Sequence, residues 1–504
     1  MRRAVLFSSL VGAGAAVSGC GGREAEPSAP HDEARAIASA EDSERAEVVG
    51  GAAEGVVAFE GVFVLPMDAD SGVLEDHTVV IRDGRIAEIG PAHEVSAPEG
   101  AQIIAGEGRY LLPGFAEMHA HLPGPDVPDE EVEELLFLYL ANGVTTLRGM
   151  LGFPSHLELR DQIESGERLG PTIFAGSPPL SGDTAATGAD GGSAVRELAG
   201  EGYDLIKLHP GISREVYDQI VKSAGEEGIT WAGHVSPEVG LEHSFATGKS
   251  TIDHLDGYVE AVASEEVRDR LAAGDAVPVG ELVDSATDRR IEEVAEATRE
   301  AGTWNVPTAY LWELFYGDAP AAELAAKPEM QYAAEPQIEQ WTKLAEDRFF
   351  VDLLEGWRTG GELGADDVSA EDGEALIELR RRILAALDEA GAGILLGTDS
   401  PQMFMVPGFS LHHEIGVMAQ AGMAPLDILK AGTRNVAEYA NDELGYDEDF
   451  GRVRAGARAD LVLVDGNPLE DLNALQKPRG VMVRGHWLSR DEIRHRLSEI
   501  AKAR

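Results

Sequence analysis

Four histidines, a lysine and an aspartate stand near the ends of short apolar segments. They are His119, His121, Lys207, His234, His254 and Asp399. Imidazole and carboxylate groups are ligands that zinc and related divalent ions take in proteins. One histidine on an apolar strand is usually a satisfied core residue, but six such positions at successive segment ends are hard to explain by packing. The set therefore predicts a site for one or two divalent metal ions, and zinc is compatible with it.

Strand alternation decides which way these side chains face. In "YDLIKLHPG", Lys207 and His209 share one face, and His119 and His121 likewise share a face of their own segment. A lysine is rarely buried unless its charge is compensated. Lys207 either reaches solvent from a strand end or faces the other ligand-type residues. Its alignment with those residues favours the second interpretation.

From Leu111 the chain alternates between strand-like and helix-like segments. The strand-like segments are "LLPGFAEMHAH", "GVTTLRGM", "PTIFAGS", "YDLIKLH", "TWAGHV", "STIDHLDG", "TWNVPTAY" and "GILLGTDS". Most are separated by stretches whose apolar residues recur at three and four positions. Eight strands separated by helices predict a (β/α)8 TIM-type barrel over 111–444. The ligand-type residues lie at the strand ends where such barrels carry their sites.

Strand-like segments also precede and follow the barrel. "TVVIRDGRIAEIG" contains two alternating strands around Asp83-Gly84, and "ADLVLVDG" and "GVMVRGHWL" come near the end of the chain. We expect 56–110 and 445–504 to form one small composite β-sandwich.

The span 311–373 is too long for an ordinary barrel connection. Its aromatic residues recur at roughly helical spacing, which favours an α-helical insertion with its own small core. A lid over the barrel mouth is the alternative.

The N-terminal segment has the pattern of an export signal. Two arginines and an apolar run precede "VSGC", which resembles the lipobox of bacterial lipoproteins. We expect 1–19 to be a signal peptide, Cys20 to be lipidated, and 20–55 to be a flexible tether. A plain secretion signal with a chance cysteine is the alternative. The protein is then exported and lipid-anchored at the cell envelope, on the periplasmic side or the outer surface.

The net charge of −49 is strongly acidic. Such a surface repels nucleic acid and anionic lipid headgroups, so we exclude both as binding partners. Membrane contact is expected through the lipid anchor alone. A small-molecule substrate is the expected partner, and homo-oligomerisation stays open.

Together these motifs resemble the amidohydrolase superfamily. "LLPGFAEMHAHLPG" is similar to its His-x-His signature on strand one, "GHV" and "TIDHLDG" to its histidines on strands five and six, and "GTDSP" to its aspartate on strand eight. The flanking segments, "GRVRAGARADLVLVDGNPLED" included, are similar to its composite sandwich. Glu117 departs from the family pattern, in which an aspartate often stands two residues before the first histidine. We expect this change to alter a contact around the ligands rather than to abolish metal binding.

The resemblance implies a binuclear metal centre. The ligands of strands one and eight would hold one ion, and His234 and His254 the other. Lys207 would be carboxylated by carbon dioxide, and the carbamate would bridge both ions. Burial is consistent with this, because it disfavours the ammonium form and so supplies a neutral amine. The cofactors expected are thus two divalent ions, with zinc favoured, and a carboxylated Lys207.

The implied function is metal-dependent hydrolysis of a C–N bond in a small substrate. A metal-bridging hydroxide would attack the carbonyl, with Asp399 as the catalytic proton carrier. The pattern resembles both the imidazolonepropionase-like and the prolidase-like branches, and the strand-four lysine favours a dipeptide or an N-acyl amino acid. A lactone, a phosphotriester or a cyclic amide such as an imidazolone is the alternative substrate. A non-catalytic surface binding lipoprotein is the alternative class.

Four further side chains are candidate substrate contacts. They are Arg148, His209, Tyr258 and Tyr310. An arginine at the barrel mouth could bind a substrate carboxylate through two hydrogen bonds. His412 and His413 follow strand eight closely, and packing at a helix N-terminus is the favoured interpretation of both.

Overall fold

A computed structural model describes residues 55–68 and 72–504. The signal peptide, Cys20 and nearly all of the predicted tether lie outside the described residues, so lipidation and export stay predictions. No helix in these described ranges is long and apolar enough to cross a membrane.

The described residues contain fifteen strands. They are β1 (Val56–Val64), β2 (Leu74–Arg82), β3 (Arg85–Pro91), β4 (Gln102–Ala105), β5 (Tyr110–Pro113), β6 (Phe115–Ala120), β7 (Val144–Gly149), β8 (Thr172–Ala175), β9 (Leu205–Leu208), β10 (Thr230–Gly233), β11 (Thr251–Asp253), β12 (Trp304–Val306), β13 (Leu461–Val464), β14 (Gly480–Val483) and β15 (His486–Ser489).

The same ranges contain eighteen α-helices and three short 3-10 helices. The α-helices are α1 (Asp129–Ala141), α2 (Pro154–Glu164), α3 (Gly188–Glu201), α4 (Arg214–Glu227), α5 (Leu241–Thr247), α6 (Tyr258–Val262), α7 (Glu265–Ala272), α8 (Val279–Ser285), α9 (Asp288–Ala301), α10 (Ala309–Tyr316), α11 (Ala321–Ala325), α12 (Glu335–Glu346), α13 (Phe349–Arg358), α14 (Ala370–Ala390), α15 (Phe409–Gln420), α16 (Pro425–Ala431), α17 (Arg434–Glu443) and α18 (Arg490–Ala503). The 3-10 helices are Pro328–Tyr332, Ala365–Asp367 and Leu472–Gln476.

Two parallel sheets form the barrel. One has the order β6-β7-β8 and the other β12-β11-β10-β9. A parallel bridge between Gly176 and Leu205 joins them on one side. On the other side the extended segment 394–400 stands in the place of the eighth strand, bridged to β12 at Ile394 and to β6 at Ser400. The predicted (β/α)8 barrel is confirmed, and isolated bridges complete it between the two sheets.

Both ends of the chain build the remaining sheet. It has eight strands, in the order β15-β14-β13-β5-β1-β2-β3, with β4 paired to β1. Apolar residues lie on both faces, because Phe59 and Ala58 alternate into separate core clusters. The barrel is therefore attached to a β unit made of residues that precede and follow it.

One predicted boundary is wrong. The segment "LLPGFAEMHAH" was expected to be a single barrel strand, but Gly114 divides it. Residues before Gly114 belong to β5, which pairs with β13 and β1, and the barrel begins at Phe115. A Cβ at Gly114 would lie 2.3 Å from Thr145 Oγ1, so glycine permits the close approach at this junction.

Helices fill the span predicted as an insertion. Helices α10 to α13 lie between β12 and α14. The predicted strand "TWNVPTAY" ends at Val306, so Tyr310 lies in α10 rather than on a barrel strand. Leu314 and Trp341 of the insertion pack in one apolar cluster with Phe404 of the barrel.

Candidate metal centre

The barrel strands bring the six predicted ligands to one end of the barrel. His119 and Lys207 lie in β6 and β9, and the other four lie just after a strand or in the extended eighth segment. Five of the six residues are buried, and the side chain of His234 is 15% exposed. Parallel strands of a barrel direct their C-terminal ends to the same face. The predicted ligands therefore meet although they are distant in sequence.

Asp399 is the central carboxylate of the cluster. His121 Nε2 lies 3.0 Å from Asp399 Oδ1, and His119 Nε2 lies 3.6 Å from the same oxygen. His254 Nε2 lies 3.9 Å from Asp399 Oδ2. One ligand atom from each of His119, His254 and Asp399 falls within 4.8 Å of the others. These three side chains are close enough to one another to act as metal ligands.

Lys207 and His234 adjoin this group. Lys207 Nζ lies 3.3 Å from His119 Nε2. The rings of His234 and His254 have centroids 4.5 Å apart. The six predicted ligands thus form one continuous cluster.

Carboxylates fix the orientation of two of the histidines. Asp253 Oδ2 lies 2.7 Å from His119 Nδ1, and Asp256 Oδ2 lies 2.8 Å from His234 Nδ1. In each histidine the aspartate contacts Nδ1, so Nε2 remains available as the ligand atom. This arrangement is usual around metal-bound histidines. The sequence reasoning missed both aspartates. The available signal was their place in "TIDHLDG", where Asp253 comes one residue before His254 and Asp256 comes two residues after it.

His254 provides the test of whether the cluster suits a metal ion. Its Nδ1 lies 2.8 Å from Thr308 Oγ1, whereas its Nε2 is buried and has no hydrogen-bond partner in the described ranges. A buried polar atom without a hydrogen-bond partner is costly, which favours a bound ligand at this nitrogen. This nitrogen, directed to a cluster of histidine and carboxylate ligands, fits a divalent cation.

Arg148 is not a substrate contact, contrary to the prediction. Its side chain is fully buried, and its Nη2 donates to both oxygens of Asp253 at 3.0 and 3.1 Å. Its Nε donates to the Met118 carbonyl at 2.6 Å, and its Nη1 donates to the Tyr439 hydroxyl at 3.1 Å. Although burial acts to lower the pKa of Arg148, Asp253 and the Tyr439 hydroxyl outweigh it and raise that pKa. The guanidinium therefore supports the carboxylate that holds His119.

Two of the other three predicted contacts also lie outside the cavity. Tyr258 is buried and donates its hydroxyl hydrogen to Asn305 Oδ1 at 2.6 Å. Tyr310 stacks on His413 in the helical region, with centroids 4.7 Å apart. His209 lines the cavity next to the ligands, as strand alternation from Lys207 predicts. Strand alternation predicted the position of His209 in the cavity correctly. Nearness to a strand end was the reason for choosing Tyr258 and Tyr310, and that criterion was wrong for both.

Glu117 links the first and eighth barrel segments. Its Oε1 accepts hydrogen bonds from the backbone N–H groups of His119 at 3.0 Å and Thr398 at 2.7 Å. Its Oε2 accepts a bond from Thr398 Oγ1 at 2.6 Å. Burial raises the pKa of Glu117 to about 8, against the lowering effect of these hydrogen bonds. The residue supports the segment that carries Asp399.

Burial and neighbouring charges set the protonation of the cluster. Burial, followed by the charge of Lys207, lowers the pKa of His119 to about 4, so its imidazole is neutral near pH 7. Burial also lowers the pKa of the Lys207 amine. For Asp399, burial acts to raise the pKa, but His119 and His121 outweigh it and hold the pKa below its ordinary value. Neutral imidazoles, a destabilised ammonium and an ionised carboxylate are the states that metal binding requires.

A cavity adjoins the cluster. The predicted ligands and His209 line it together with apolar side chains of the insertion. The main apolar residues are Leu311, Trp312, Phe315, Phe350, Leu354 and Trp357. Side chains of the insertion thus line the cavity, and its apolar residues pack in a cluster shared with the barrel rather than in a core of their own.

The chain belongs to the amidohydrolase family, whose model matches residues 110–488. Membership confirms the predicted superfamily and the predicted class of enzyme, a hydrolase of C–N bonds. Members of the family generally use divalent metal ions, in agreement with the histidine and aspartate cluster.

Known proteins resemble this chain over most of its length. Ochratoxinase of Aspergillus niger is 22% identical over 444 residues, which cover 83% of each chain. The solved structure of bottromycin amidohydrolase has a TM-score of 0.65 at 25% identity and covers 89% of this chain and 90% of that one. A Xaa-Pro dipeptidase solved with bound methionine has a TM-score of 0.60 and covers 86% of this chain and all of the other. At 19% identity, that last likeness concerns the fold alone.

Proposed function

We propose that this protein is a two-metal hydrolase that cleaves an amide bond in a small, peptide-like substrate. The observation that carries the proposal is the position of Lys207, whose Nζ lies buried 3.3 Å from His119 Nε2. No ion pair joins this Nζ to a carboxylate in the described part of the chain, and an ammonium there would be poorly compensated. A carbamate on Lys207 removes that cost and supplies an anionic ligand between two cations.

The ligands divide into two groups around Lys207. His119, His121 and Asp399 would hold one ion, and His234 and His254 would hold the other. Zinc suits this mixture of imidazole and carboxylate ligands. Bound there, the ions would act as Lewis acids on the scissile carbonyl and lower the pKa of water.

The protein's own side chains handle the proton and the orientation of the ligands. Asp399 is ionised near neutral pH, so it accepts a proton from the attacking water and donates it to the leaving nitrogen. Asp253 and Asp256 keep Nε2 of His119 and His234 directed to the ions. The apolar wall of the insertion limits solvent around the reacting bond.

The names of two structurally similar proteins agree with amide cleavage. One is bottromycin amidohydrolase, and the other is a Xaa-Pro dipeptidase, whose likeness to this chain concerns the fold. These names favour a C–N bond in a peptide-like compound over a lactone or a phosphotriester.

Metal analysis combined with a substrate screen tests the proposal. Mass spectrometric metal analysis of the purified protein should give about two equivalents per chain. Dipeptides and N-acyl amino acids should be hydrolysed, with lactones as the comparison. His254→Ala should lose metal and activity, whereas His243→Ala, which removes a histidine paired with Asp218 on the barrel exterior, should keep both. A single equivalent in active protein, or exclusive hydrolysis of lactones, would contradict the proposal.

A further inference from the structure

Aromatic rings of the insertion line the same cavity as the predicted ligands. Trp312 and Phe315 come from α10, and Phe350 and Trp357 come from α13. Two separate helices thus contribute to one apolar surface. This surface faces the position at which the scissile bond must lie if the cluster holds the reacting metals.

Contacts with neighbouring side chains fix these rings in place. Phe315 and Phe350 are stacked, with centroids 4.4 Å apart and an interplanar angle of 9°. Trp357 meets His209 edge to face at 5.7 Å. The guanidinium of Arg380 lies 3.8 Å from the centroid of the Trp312 ring. The surface is therefore built before any substrate enters, which reduces the entropy lost on binding.

The same cavity offers little to a charged substrate group. Among the described residues that line it, Lys207 is the one lysine or arginine, and the proposed function makes it a metal ligand. Arg148 does not line the cavity, and its guanidinium is hydrogen-bonded to Asp253. Desolvating a charged group in this cavity carries a large cost, which the aromatic rings offset only in part for a cation. The cavity therefore favours uncharged apolar groups over charged ones.

We propose that the substrate carries a large uncharged apolar group, aromatic by preference, beside the scissile amide, and that this group lies against Phe350 and Trp357. The inference rests on the proposed function and narrows its substrate class. Substrate recognition then depends on the aromatic rings of the cavity, and not on a substrate carboxylate bound by Arg148 as the sequence predicted.

Paired amide substrates test the preference. N-acetyl-L-phenylalaninamide and N-acetyl-L-lysinamide present the same bonds with different side chains. With the zinc-loaded protein, we expect kcat/KM to favour the phenyl compound by about tenfold or more. Equal rates, or faster hydrolysis of the lysine compound, would overturn this inference and leave amide hydrolysis intact.

A binding measurement separates this inference from the chemistry. Benzylacetone and levulinate are both ketones that contain no amide bond, and one carries a phenyl group where the other carries a carboxylate. Calorimetry on the zinc-loaded protein should give tighter binding of benzylacetone. Binding of benzylacetone without hydrolysis of any amide would support an apolar binding surface at these rings and overturn the proposed function. Tighter binding of levulinate would overturn the assignment of that surface.

Variants of one helix provide the matched control. Trp357→Ala and Phe350→Ala should each weaken benzylacetone binding by about tenfold, because each removes part of the ring surface. Phe349→Ala removes a neighbouring ring that meets Phe350 edge to face but does not line the cavity, so it should bind benzylacetone as the unaltered protein does. If Trp357→Ala does not fold, Trp357→Leu keeps an apolar side chain without the ring and should still bind benzylacetone less tightly. Unchanged binding in both cavity variants would overturn the assignment of these rings.

Discussion

Asp253 Oδ2 lies 2.7 Å from His119 Nδ1, and both side chains are shielded from solvent. The same carboxylate accepts two hydrogen bonds from Arg148, so a continuous chain of contacts runs from the guanidinium to the histidine. Since Asp253 takes up Nδ1, His119 presents Nε2 to Asp399 and Lys207. The orientation of a central ligand thus depends on two residues that are not ligands themselves.

Removing the charge of Asp253 should weaken the metal centre. In Asp253→Asn the amide keeps the shape but is a poorer acceptor for His119 Nδ1–H. We expect a loss of about 10–100-fold in metal affinity or in kcat. Chelator competition with the purified variant measures the affinity directly. Asp465→Asn is the control, because Asp465 pairs with Arg479 and Arg490 away from the barrel mouth, and it should bind metal normally.

Arg148 should affect stability more than substrate affinity. Arg148→Met leaves the buried Asp253 charge without its partner, which typically costs about 3–5 kcal/mol of unfolding free energy. Urea unfolding measures that loss, and steady-state kinetics should show KM close to that of the unaltered protein. A large rise in KM with unchanged stability would instead indicate a carboxylate clamp.

Lys207→Ala should lose metal and activity together. A short carboxylic acid such as acetate can occupy the space of the missing carbamate, so part of both should return when it is added. Metal content and rate are measured across an acetate titration. Lys249→Ala removes another buried lysine, whose Nζ has no hydrogen-bond partner among the described residues, and acetate should have no effect on it. Full metal and full rate in Lys207→Ala would show that the lysine is not a bridge.

The convergence of the six predicted ligands could be foreseen because each one has a local feature in the sequence. Each follows or ends a short apolar run, and strand alternation decides its face, as it does for His209 beside Lys207. The residues that contact and orient these predicted ligands have no comparable local feature in the sequence. Asp253 and His119 meet across the barrel interior, and their sequence spacing says nothing about that contact. Arg148 was misassigned for the same reason, since its sequence position does not show how deep in the barrel it lies.

The helical insertion shows a second limit of the sequence. Aromatic spacing predicted helices there, yet it did not show that Phe350 and Trp357 face the cavity while Phe349 does not line it. That choice depends on how α13 packs against the barrel. Likewise the strand expected to contain Tyr310 ends at Val306, because helix α10 begins at Ala309.

Glu414 should make stability depend on pH. This buried carboxylate accepts hydrogen bonds from the backbone N–H groups of Ala309 and Tyr310 at the start of α10, and burial raises its pKa from 4.5 to about 7. A raised pKa means that the folded chain binds this proton more tightly than the unfolded chain. The contribution to stability is therefore full below about pH 4.5 and is lost as the pH rises through 7.

The size of this contribution is up to about 3 kcal/mol. Urea unfolding at pH 5 and pH 8 measures it when the unaltered protein is compared with Glu414→Gln. The glutamine leaves one N–H group without an acceptor at both pH values, so its cost is constant. The difference between the two proteins should shrink at pH 8. A difference that is the same at both pH values would show that Glu414 is ionised throughout.

Gly114→Ala should destabilise the junction between the eight-stranded sheet and the barrel. The added Cβ would lie 2.3 Å from Oγ1 and 2.5 Å from Cγ2 of Thr145, both on a buried strand that cannot move freely. Such overpacking typically costs about 1–3 kcal/mol, which thermal or urea unfolding detects. In Gly114→Ala/Thr145→Ala the two closest atoms of Thr145 are removed, and its Cβ remains 2.9 Å from the added carbon, so most of the overlap is relieved. The double variant should therefore lose less unfolding free energy than the two single variants lose together. Losses that simply add would show that the glycine is needed for its backbone conformation instead.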